Sequence, residues 1–175
     1  MEGEVGTYVI GSPIGNLLVQ FSPRGLRSLS LIGDARDGGE FSGLRDENAS
    51  DELAAVKTFV GDLFFCRDPG LSGLKLDMEG ISDFRKRVYT ELRKVPFGDV
   101  ITYGELARRA GSPGGARAVG QAMNSNPFLL VVPCHRVVAS KGNAKYALGG
   151  FGAGLDVKRV LLHLEGHHKE EITGL

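Results

Sequence analysis

The sequence has 175 residues, of which 42% are hydrophobic and 24% charged, and its formal net charge is zero. These values are typical of one globular domain or two small ones, and they exclude a disordered or fibrous chain. No apolar run approaches the roughly 20 residues that span a bilayer, and no signal peptide is recognisable at the N-terminus, so we expect a soluble intracellular protein. Two cysteines do not make a disulfide framework and fit a reducing compartment.

The charges are unevenly distributed along the chain. Residues 1–78 carry 7 Lys and Arg against 12 Asp and Glu, whereas residues 79–175 carry 14 against 9. The two parts therefore have net charges of −5 and +5. A basic half is compatible with a polyanionic partner, although it also fits an ordinary solvated surface.

Residues 1–78 predict an antiparallel sheet with one covering helix, and we expect this domain to be structural. Short apolar runs separated by turns with proline and glycine favour a meander: residues 7–10, 17–21 and 26–31. A polar, glycine-rich loop is predicted over 33–50. Apolar residues at helical spacing predict a helix over 51–64, and residues 74–78 are a candidate last strand.

Residues 82–167 predict a second, mostly helical domain. Apolar residues at helical spacing predict a helix from the N-cap Ser82 to just before Pro96, and a last helix from about 155 to 165. We expect the polar residues 168–175 to be a frayed tail. The predicted fold class is therefore α+β.

Two short helices in the second domain have the pattern of a helix-turn-helix. Thr102 and Glu105 have the spacing of a capping box, which predicts a helix that stops at Gly111. Pro113, at a first helical position, predicts a second helix over residues 114–124. Such pairs bind DNA in some proteins and are only packing units in others.

The second of these helices is rich in small residues around a single cation, Arg117. Low bulk combined with one long cation suits a helix that lies in a nucleic-acid groove. A tight contact between helices is the alternative explanation. The small residues are Gly115, Ala116, Ala118, Gly120 and Ala122.

Cys134 and His135 follow an apolar run, residues 128–132, that predicts a buried strand. Pro133 cannot donate to a strand ladder, so we expect the strand to end there and a rigid turn to hold both side chains. A cysteine reacts as its thiolate, and a neighbouring imidazole can lower the pKa of the thiol. The alternative is that Cys134 is a small buried hydrophobe.

Five segments of the second half form a specific pattern by their order and spacing: Gly98–Tyr103, Ala116–Gly120, Asn126–Pro127, Pro133–Val137 and Lys158–Gly166. This pattern resembles the O6-alkylguanine-DNA alkyltransferases, and the stretch 12–15 looks like their N-terminal domain. The resemblance implies DNA repair by direct reversal. In that reaction an alkyl group, such as methyl, passes irreversibly from O6 of a flipped guanine to a protein cysteine. The resemblance therefore implies a methylated-DNA–protein-cysteine methyltransferase of which each molecule acts once.

The resemblance also implies the roles of individual residues. Cys134 would be the nucleophile and alkyl acceptor, and His135 would be the base that takes its proton through a water. Glu165 would orient the histidine. Tyr103 would help to discharge the guanine leaving group, and Asn126 would brace the active-site turn.

Arg117 would be the finger residue that replaces the flipped nucleotide in the base stack. The other residues that the resemblance places on DNA are Thr102, Ala116, Ala118 and Gly120, and those placed around the base are Met123, Val137 and Phe151. Where the family has a tyrosine in the glycine-rich loop this chain has Phe151. Alternatively, Tyr146 fills that role in a shifted loop.

The resemblance implies no metal, ATP or organic cofactor, and it implies a monomer whose partner is double-stranded DNA that contains O6-alkylguanine. No membrane partner is expected. The location would be cytoplasmic, as in prokaryotes, or otherwise intracellular with access to DNA. The histidines near the end of the last helix, His163, His167 and His168, look like a helix end with a solvated tail, and zinc is disfavoured because a site normally needs three or four arranged ligands.

Three other functions fit parts of the pattern. A non-catalytic alkyltransferase-like protein would lack the cysteine, which is present here. A cysteine hydrolase is disfavoured because adjacent side chains such as Cys134 and His135 diverge, which makes relay through a water more natural than direct proton transfer. In a helix-turn-helix regulator the Cys-His pair would be incidental.

Overall fold

The computed structural model describes residues 6–33, 51–70, 73–141, 144–168 and 170–175. Apart from Gly33, the predicted loop over 33–50 lies outside the described residues. The chain divides into two compact units, residues 1–79 with 127–131 and residues 80–126 with 132–175. The chain contains both α-helices and β-strands, which confirms the predicted α+β class.

The first unit contains the strands β1 (Gly6–Ser12), β2 (Gly15–Ser22) and β3 (Gly25–Ile32) and the helix α1 (Asp51–Phe64). The strands form an antiparallel sheet in the order β1-β2-β3, which confirms the meander predicted from the short apolar runs, and Leu17, Val19 and Phe21 are buried on one face of β2. Helix α1 buries five apolar residues, among them Leu53 and Val60, and lines a groove together with β1.

Two predicted strands of this unit are wrong. Residues 74–78 make one isolated parallel bridge, between Leu76 and Leu26, instead of a strand. Residues 128–132 are buried as expected but form turns, because Leu130 adopts a left-handed φ of 68° and breaks the extended path. Phe128 makes one isolated parallel bridge with Leu29 of β3. In it the backbone N–H of Leu29 donates to the Pro127 carbonyl, and the Leu29 carbonyl accepts from the backbone N–H of Leu129.

The second unit contains the helices α2 (Asp83–Leu92), α3 (Tyr103–Arg109), α4 (Ala116–Asn124) and α5 (Leu155–Leu164). The hydroxyl of Tyr89 on α2 donates to the carbonyl of Ala122 on α4 at 2.9 Å, and Arg87 Nε donates to the carbonyl of Ala110 at 3.1 Å. These bonds satisfy carbonyls at the C-terminal ends of α3 and α4, which have no partners within their own helices.

The boundaries of the helix-turn-helix differ slightly from the prediction. Thr102 caps α3 as predicted, since its Oγ1 accepts from the backbone N–H of Glu105 at 3.2 Å. The Glu105 carboxylate pairs with Arg108 and Arg109 instead of completing a capping box. Helix α4 starts at Ala116 and not at residue 114, because Gly115 donates to Ser112 in a preceding turn.

The second unit also contains a four-stranded sheet that the sequence analysis did not predict. Its order is β4 (Ile101–Thr102), β5 (Val137–Lys141), β6 (Ala144–Ala147) and β7 (Ile172–Thr173), with only the β5–β6 pair antiparallel. The expected frayed tail is therefore wrong, since Ile172 is fully buried in a core with Val138, Leu148 and Leu162. None of the helices in the described part of the chain is long and apolar enough to cross a membrane.

Candidate active site

Cys134 lies in a short 3-10 helix, Cys134–Arg136, directly before β5. The turn is held by two backbone bonds, from Cys134 N to the Val132 carbonyl at 2.7 Å and from Arg136 N to the Pro133 carbonyl at 2.9 Å. The thiol is buried, with only 4% of the residue exposed. Burial raises the pKa of the Cys134 thiol, and a hydrogen bond from Asn126 and the charge of Lys158 oppose that rise.

Asn126 braces this turn from the end of α4. Its Nδ2 donates to the Val132 carbonyl at 2.9 Å and to the Cys134 Sγ at 3.3 Å. One amide group therefore fixes the backbone before the cysteine and also offers a proton to the sulfur. A donor to sulfur favours the thiolate over the thiol.

His135 is buried and lies against a carboxylate. Its Nε2 is 2.7 Å from Oε1 of Glu165, while its Nδ1 is buried and makes no hydrogen bond within the described residues. Because an ionised Glu165 can only accept, Nε2 carries the proton and Nδ1 is left as the basic nitrogen. Burial lowers the pKa of His135, against the opposing effect of Glu165, so the imidazole is neutral and able to accept a proton.

Glu165 binds a second partner, Arg136, whose role the sequence analysis missed. Arg136 Nε lies 2.9 Å from Oε2 and its Nη2 lies 3.0 Å from Oε1, a two-pronged contact between buried groups. The backbone N–H of Gly98 also donates to Oε2, at 3.2 Å. Burial opposes the charge of Glu165, but the bonds from His135 and Arg136 outweigh it and lower the pKa of the carboxyl to about 2.

Lys158 is a second residue of the site to which the sequence analysis gave no role. It is fully buried on α5, and its Nζ donates to the carbonyls of Val137 at 2.6 Å and Gly150 at 3.1 Å. Burial lowers the pKa of Lys158 to about 8, although the charge of Cys134 partly opposes the change. A buried lysine is rare enough in proteins that this burial is the signal of a site, and burial is not visible in sequence.

Tyr103 begins α3 and faces the glycine-rich loop. Its hydroxyl donates to the Gly150 carbonyl at 3.3 Å, the same oxygen that accepts from Lys158. Gly149 has a φ of 68°, and a Cβ there would lie 3.0 Å from the Tyr103 ring, so only glycine fits. Burial raises the pKa of Tyr103, and the nearby Cys134 adds to this rise, so the hydroxyl keeps its proton.

Helix α4 presents the residues predicted to contact DNA. Arg117 is exposed and makes no hydrogen bond or ion pair in the described part of the chain. Ala116, Ala118 and Gly120 are half-buried, and the Gly120 backbone passes close to the Tyr103 ring. Thr102, by contrast, is occupied as the N-cap of α3.

The residues predicted to surround the base lie at different depths. Met123 and Val137 are buried, whereas Phe151 is half-buried in the loop between β6 and α5. Tyr146 lies in β6 and packs against the core around Ile172. Its place in the strand favours Phe151 as the aromatic residue of the loop.

The histidines at the C-terminal end of α5 and just after it contact one another and a nearby acid. His163 and His168 meet edge to face, with ring centroids 5.5 Å apart, and His167 Nδ1 lies 3.1 Å from the Glu171 carboxylate. Within the described residues no group of three or more histidine, cysteine or acidic side chains is arranged to hold a metal ion.

Comparison with known proteins gives a consistent result. The family model of the 6-O-methylguanine DNA methyltransferase DNA-binding domain matches residues 83–167. The methylated-DNA–protein-cysteine methyltransferase of Methanosarcina acetivorans is 37% identical over 163 residues, 90% of this chain and 96% of its own. That of Mycobacterium tuberculosis H37Rv is 38% identical over 165 residues, 89% of each chain.

Solved structures agree with these relatives. A crystal structure of Mycobacterium tuberculosis OGT in complex with DNA matches with a TM-score of 0.71 and 33% identity, over 90% of each chain. Identity above 30% over most of both chains, together with the same fold, confirms the resemblance that the five segments of the second half indicated. The chain belongs to the methylated-DNA–protein-cysteine methyltransferase family.

Proposed function

We propose that this protein repairs DNA by moving one alkyl group from O6 of guanine to Cys134, irreversibly and once per molecule. The observation that carries the proposal is the buried series Cys134, His135 and Glu165. In it the carboxylate holds one imidazole nitrogen, and the other nitrogen is free to act as the base. Asn126 adds a donor to the sulfur.

The chemistry follows from these positions. His135 Nδ1 takes the thiol proton through a water, and Glu165 stabilises the imidazolium that forms. The thiolate attacks the alkyl carbon on O6, the C–O bond breaks, and its electron pair stays with the guanine. Tyr103 donates its proton to the departing base, and the proton taken from the thiol restores the neutral tyrosine. The product is a neutral thioether, which could release the sulfur only as a thiolate, a poor leaving group, so the sulfur is not regenerated.

Lys158 supports the thiolate stage. Its buried ammonium favours negative charge on Cys134, since the interaction between the two groups lowers the pKa of the thiol. Lys158 also donates to the Gly150 carbonyl, which accepts a second hydrogen bond from the Tyr103 hydroxyl. The reaction as written needs no metal or organic cofactor.

The proposed partner is double-stranded DNA that contains O6-alkylguanine, bound by a monomer. A base inside a duplex cannot reach Cys134, so the nucleotide must rotate out, at a cost of a few kcal/mol for unstacking. The exposed Arg117 on α4 would fill the gap, and the small residues beside it would allow close approach to a minor groove. This role requires a location with access to DNA.

Intact mass after incubation with O6-methylguanine DNA tests the proposal. Wild type and the Cys66→Ala variant should each gain the mass of one methyl group, and Cys134→Ala should gain none. Cys66 is the matched control because it is a free and exposed thiol, whereas Cys134 is buried. Methyl transfer mapped to Cys66 would refute the proposed acceptor, and binding without transfer would indicate a lesion-binding protein.

A further inference from the structure

We propose that strand β7, through Ile172, is a positioning element for the substrate loop, defined here as residues 148–154. This inference rests on the proposed function, because the loop carries the Gly150 carbonyl that meets Tyr103 and Lys158. It goes beyond that function because it assigns a role in the reaction to residues that the sequence indicated to be a frayed tail.

Strand β7 is bonded to the start of the loop. Tyr146 and Ala147 of β6 pair in parallel with Ile172 and Thr173, and the backbone N–H of Leu148 donates to the Thr173 carbonyl at 3.1 Å. The pairing therefore reaches the first residue of the substrate loop. Only Gly149 separates that residue from the active-site carbonyl of Gly150.

Side-chain packing also holds Leu148, the first residue of the substrate loop. Ile172 is fully buried against Val138, Leu148 and Leu162. Val138 belongs to β5, which directly follows the turn that holds Cys134, and Leu162 belongs to α5. One side chain thus joins the strand after the nucleophile to the first residue of the substrate loop.

Two adjacent residues of helix α5 bind the substrate loop and the end of strand β7. Lys158 donates to the Gly150 carbonyl in the loop, and Arg159 Nε donates to the Gly174 carbonyl just after β7, at 2.8 Å. The loop is therefore fixed at its start by β7 and at Gly150 by α5. If β7 is released, the Leu148 bond and its packing are lost, and the Gly150 carbonyl is less firmly held against Tyr103 and Lys158.

The test separates base positioning from intrinsic thiol reactivity. Ile172→Asp puts a charge into the core, and Ile172→Val is the conservative control. For each variant, transfer from O6-methylguanine DNA and alkylation of Cys134 by iodoacetamide are followed by mass, at a temperature where the variant is folded. We expect Ile172→Asp to slow methyl transfer by about tenfold or more without slowing the iodoacetamide reaction, and Ile172→Val to behave as wild type.

Arg159→Ala keeps the inference testable if Ile172→Asp does not fold. Arg159 also pairs with Asp156, so Asp156→Ala is the matched control that removes the ion pair and leaves the Gly174 bond. Slower methyl transfer in Arg159→Ala alone supports the positioning role, and equal rates in all variants overturn it. Failure of the wild type to accept a methyl group would refute the proposed function instead.

Discussion

At the scale of single residues, the site depends on one shared carboxylate. Glu165 accepts from His135, from Arg136 and from the backbone of Gly98, so it orients the proposed base and compensates a buried arginine at once. Arg136 also donates to the Val95 carbonyl at 2.7 Å. While Glu165 is ionised, the buried guanidinium of Arg136 therefore has both hydrogen-bond acceptors and a compensating negative charge. Loss of the carboxylate charge is therefore expected to affect stability as well as catalysis.

The first prediction concerns Glu165 and pH. The pKa of this carboxyl falls from its ordinary 4.5 to about 2, which corresponds to about 3 kcal/mol of stability from this group. Because the folded pKa is the lower one, this stability is present above pH 4.5 and is lost as the pH falls towards 2. Glu165→Gln should be less stable than wild type at pH 7, and the difference in urea unfolding should vanish near pH 2.

Glu91→Gln is the control for that measurement, because Glu91 pairs with Lys94 on the surface. Its unfolding curve should follow wild type at every pH, since exposed pairs contribute little. A stability difference for Glu165→Gln that stays constant down to pH 2 would contradict the assigned pKa shift.

The second prediction concerns Lys158. Lys158→Met removes the buried charge that favours the Cys134 thiolate, so the pKa of the thiol should rise and methyl transfer at pH 7 should slow by roughly tenfold. The pKa of Lys158 is about 8, so its charge is lost in the wild type as the pH rises through that value. The ratio of wild-type to variant rates should shrink accordingly, which a pH profile of single-turnover rates would show.

Lys94→Met is the matched control for Lys158, since it removes an exposed lysine from the same unit. It should leave the rate unchanged across the pH range. A ratio for Lys158→Met that does not vary with pH would mean that the lysine acts only through its bonds to the two carbonyls.

At the scale of helices and strands, the proposed function assigns DNA contact to α4 and its one cation, Arg117. We expect Arg117→Ala to slow repair of duplex DNA far more than reaction with the free base O6-methylguanine, because the proposed finger residue would act on nucleotide flipping and not on displacement. Single-turnover rates with the two substrates give the comparison. Lys94→Ala, which removes the same charge elsewhere, should slow neither, and equal slowing by Arg117→Ala would refute the finger role.

The helices were predictable because their signals are local. The side chain of Thr102 and the backbone of Glu105 lie within one turn, so the spacing of the residues was enough to predict the start of α3. Strands β6 and β7 were missed because Ala144–Ala147 and Ile172–Thr173 are short and are separated in sequence by the 24 residues 148–171. Periodicity cannot reveal strands of two to four residues.

The site was predictable for a different reason. Cys134, His135 and Asn126 carry chemistry that the family pattern specifies, and the structure brings Asn126 to the sulfur and Glu165 to the imidazole. Lys158 and Arg136 were given no role because lysine and arginine are surface residues by default. Their burial in the folded protein distinguishes them from the other lysines and arginines that the structure describes.

At the scale of the whole molecule, the uneven charge predicts how binding responds to salt. Residues 79–175 carry a net charge of +5, and some of their basic groups pair with nearby acids, so we expect about three to five phosphate contacts. Affinity for undamaged duplex should then fall with a slope of roughly −3 to −4.5 in log K against log salt. Fluorescence anisotropy across a salt series would measure it.

Two outcomes would contradict that picture. A slope near −8 would mean that the acidic residues 1–78 also contact DNA, despite their net charge of −5. Independence of salt would remove the electrostatic basis of the helix-turn-helix and favour a thiol enzyme that acts on small substrates.

Neither unit is one continuous stretch of the chain, and this affects where the gene can be split into two fragments. The polypeptide changes unit at residues 79/80, again at 126/127 and again at 131/132. A gene split at the first crossing would leave Phe128, Val131 and their neighbours, buried in the first unit, attached to the other fragment. That fragment, residues 80–175, would expose an apolar segment between Asn126 and Cys134, and exposed apolar segments promote aggregation. We therefore expect each fragment to aggregate when it is expressed alone, and co-expression of the two fragments to give soluble protein.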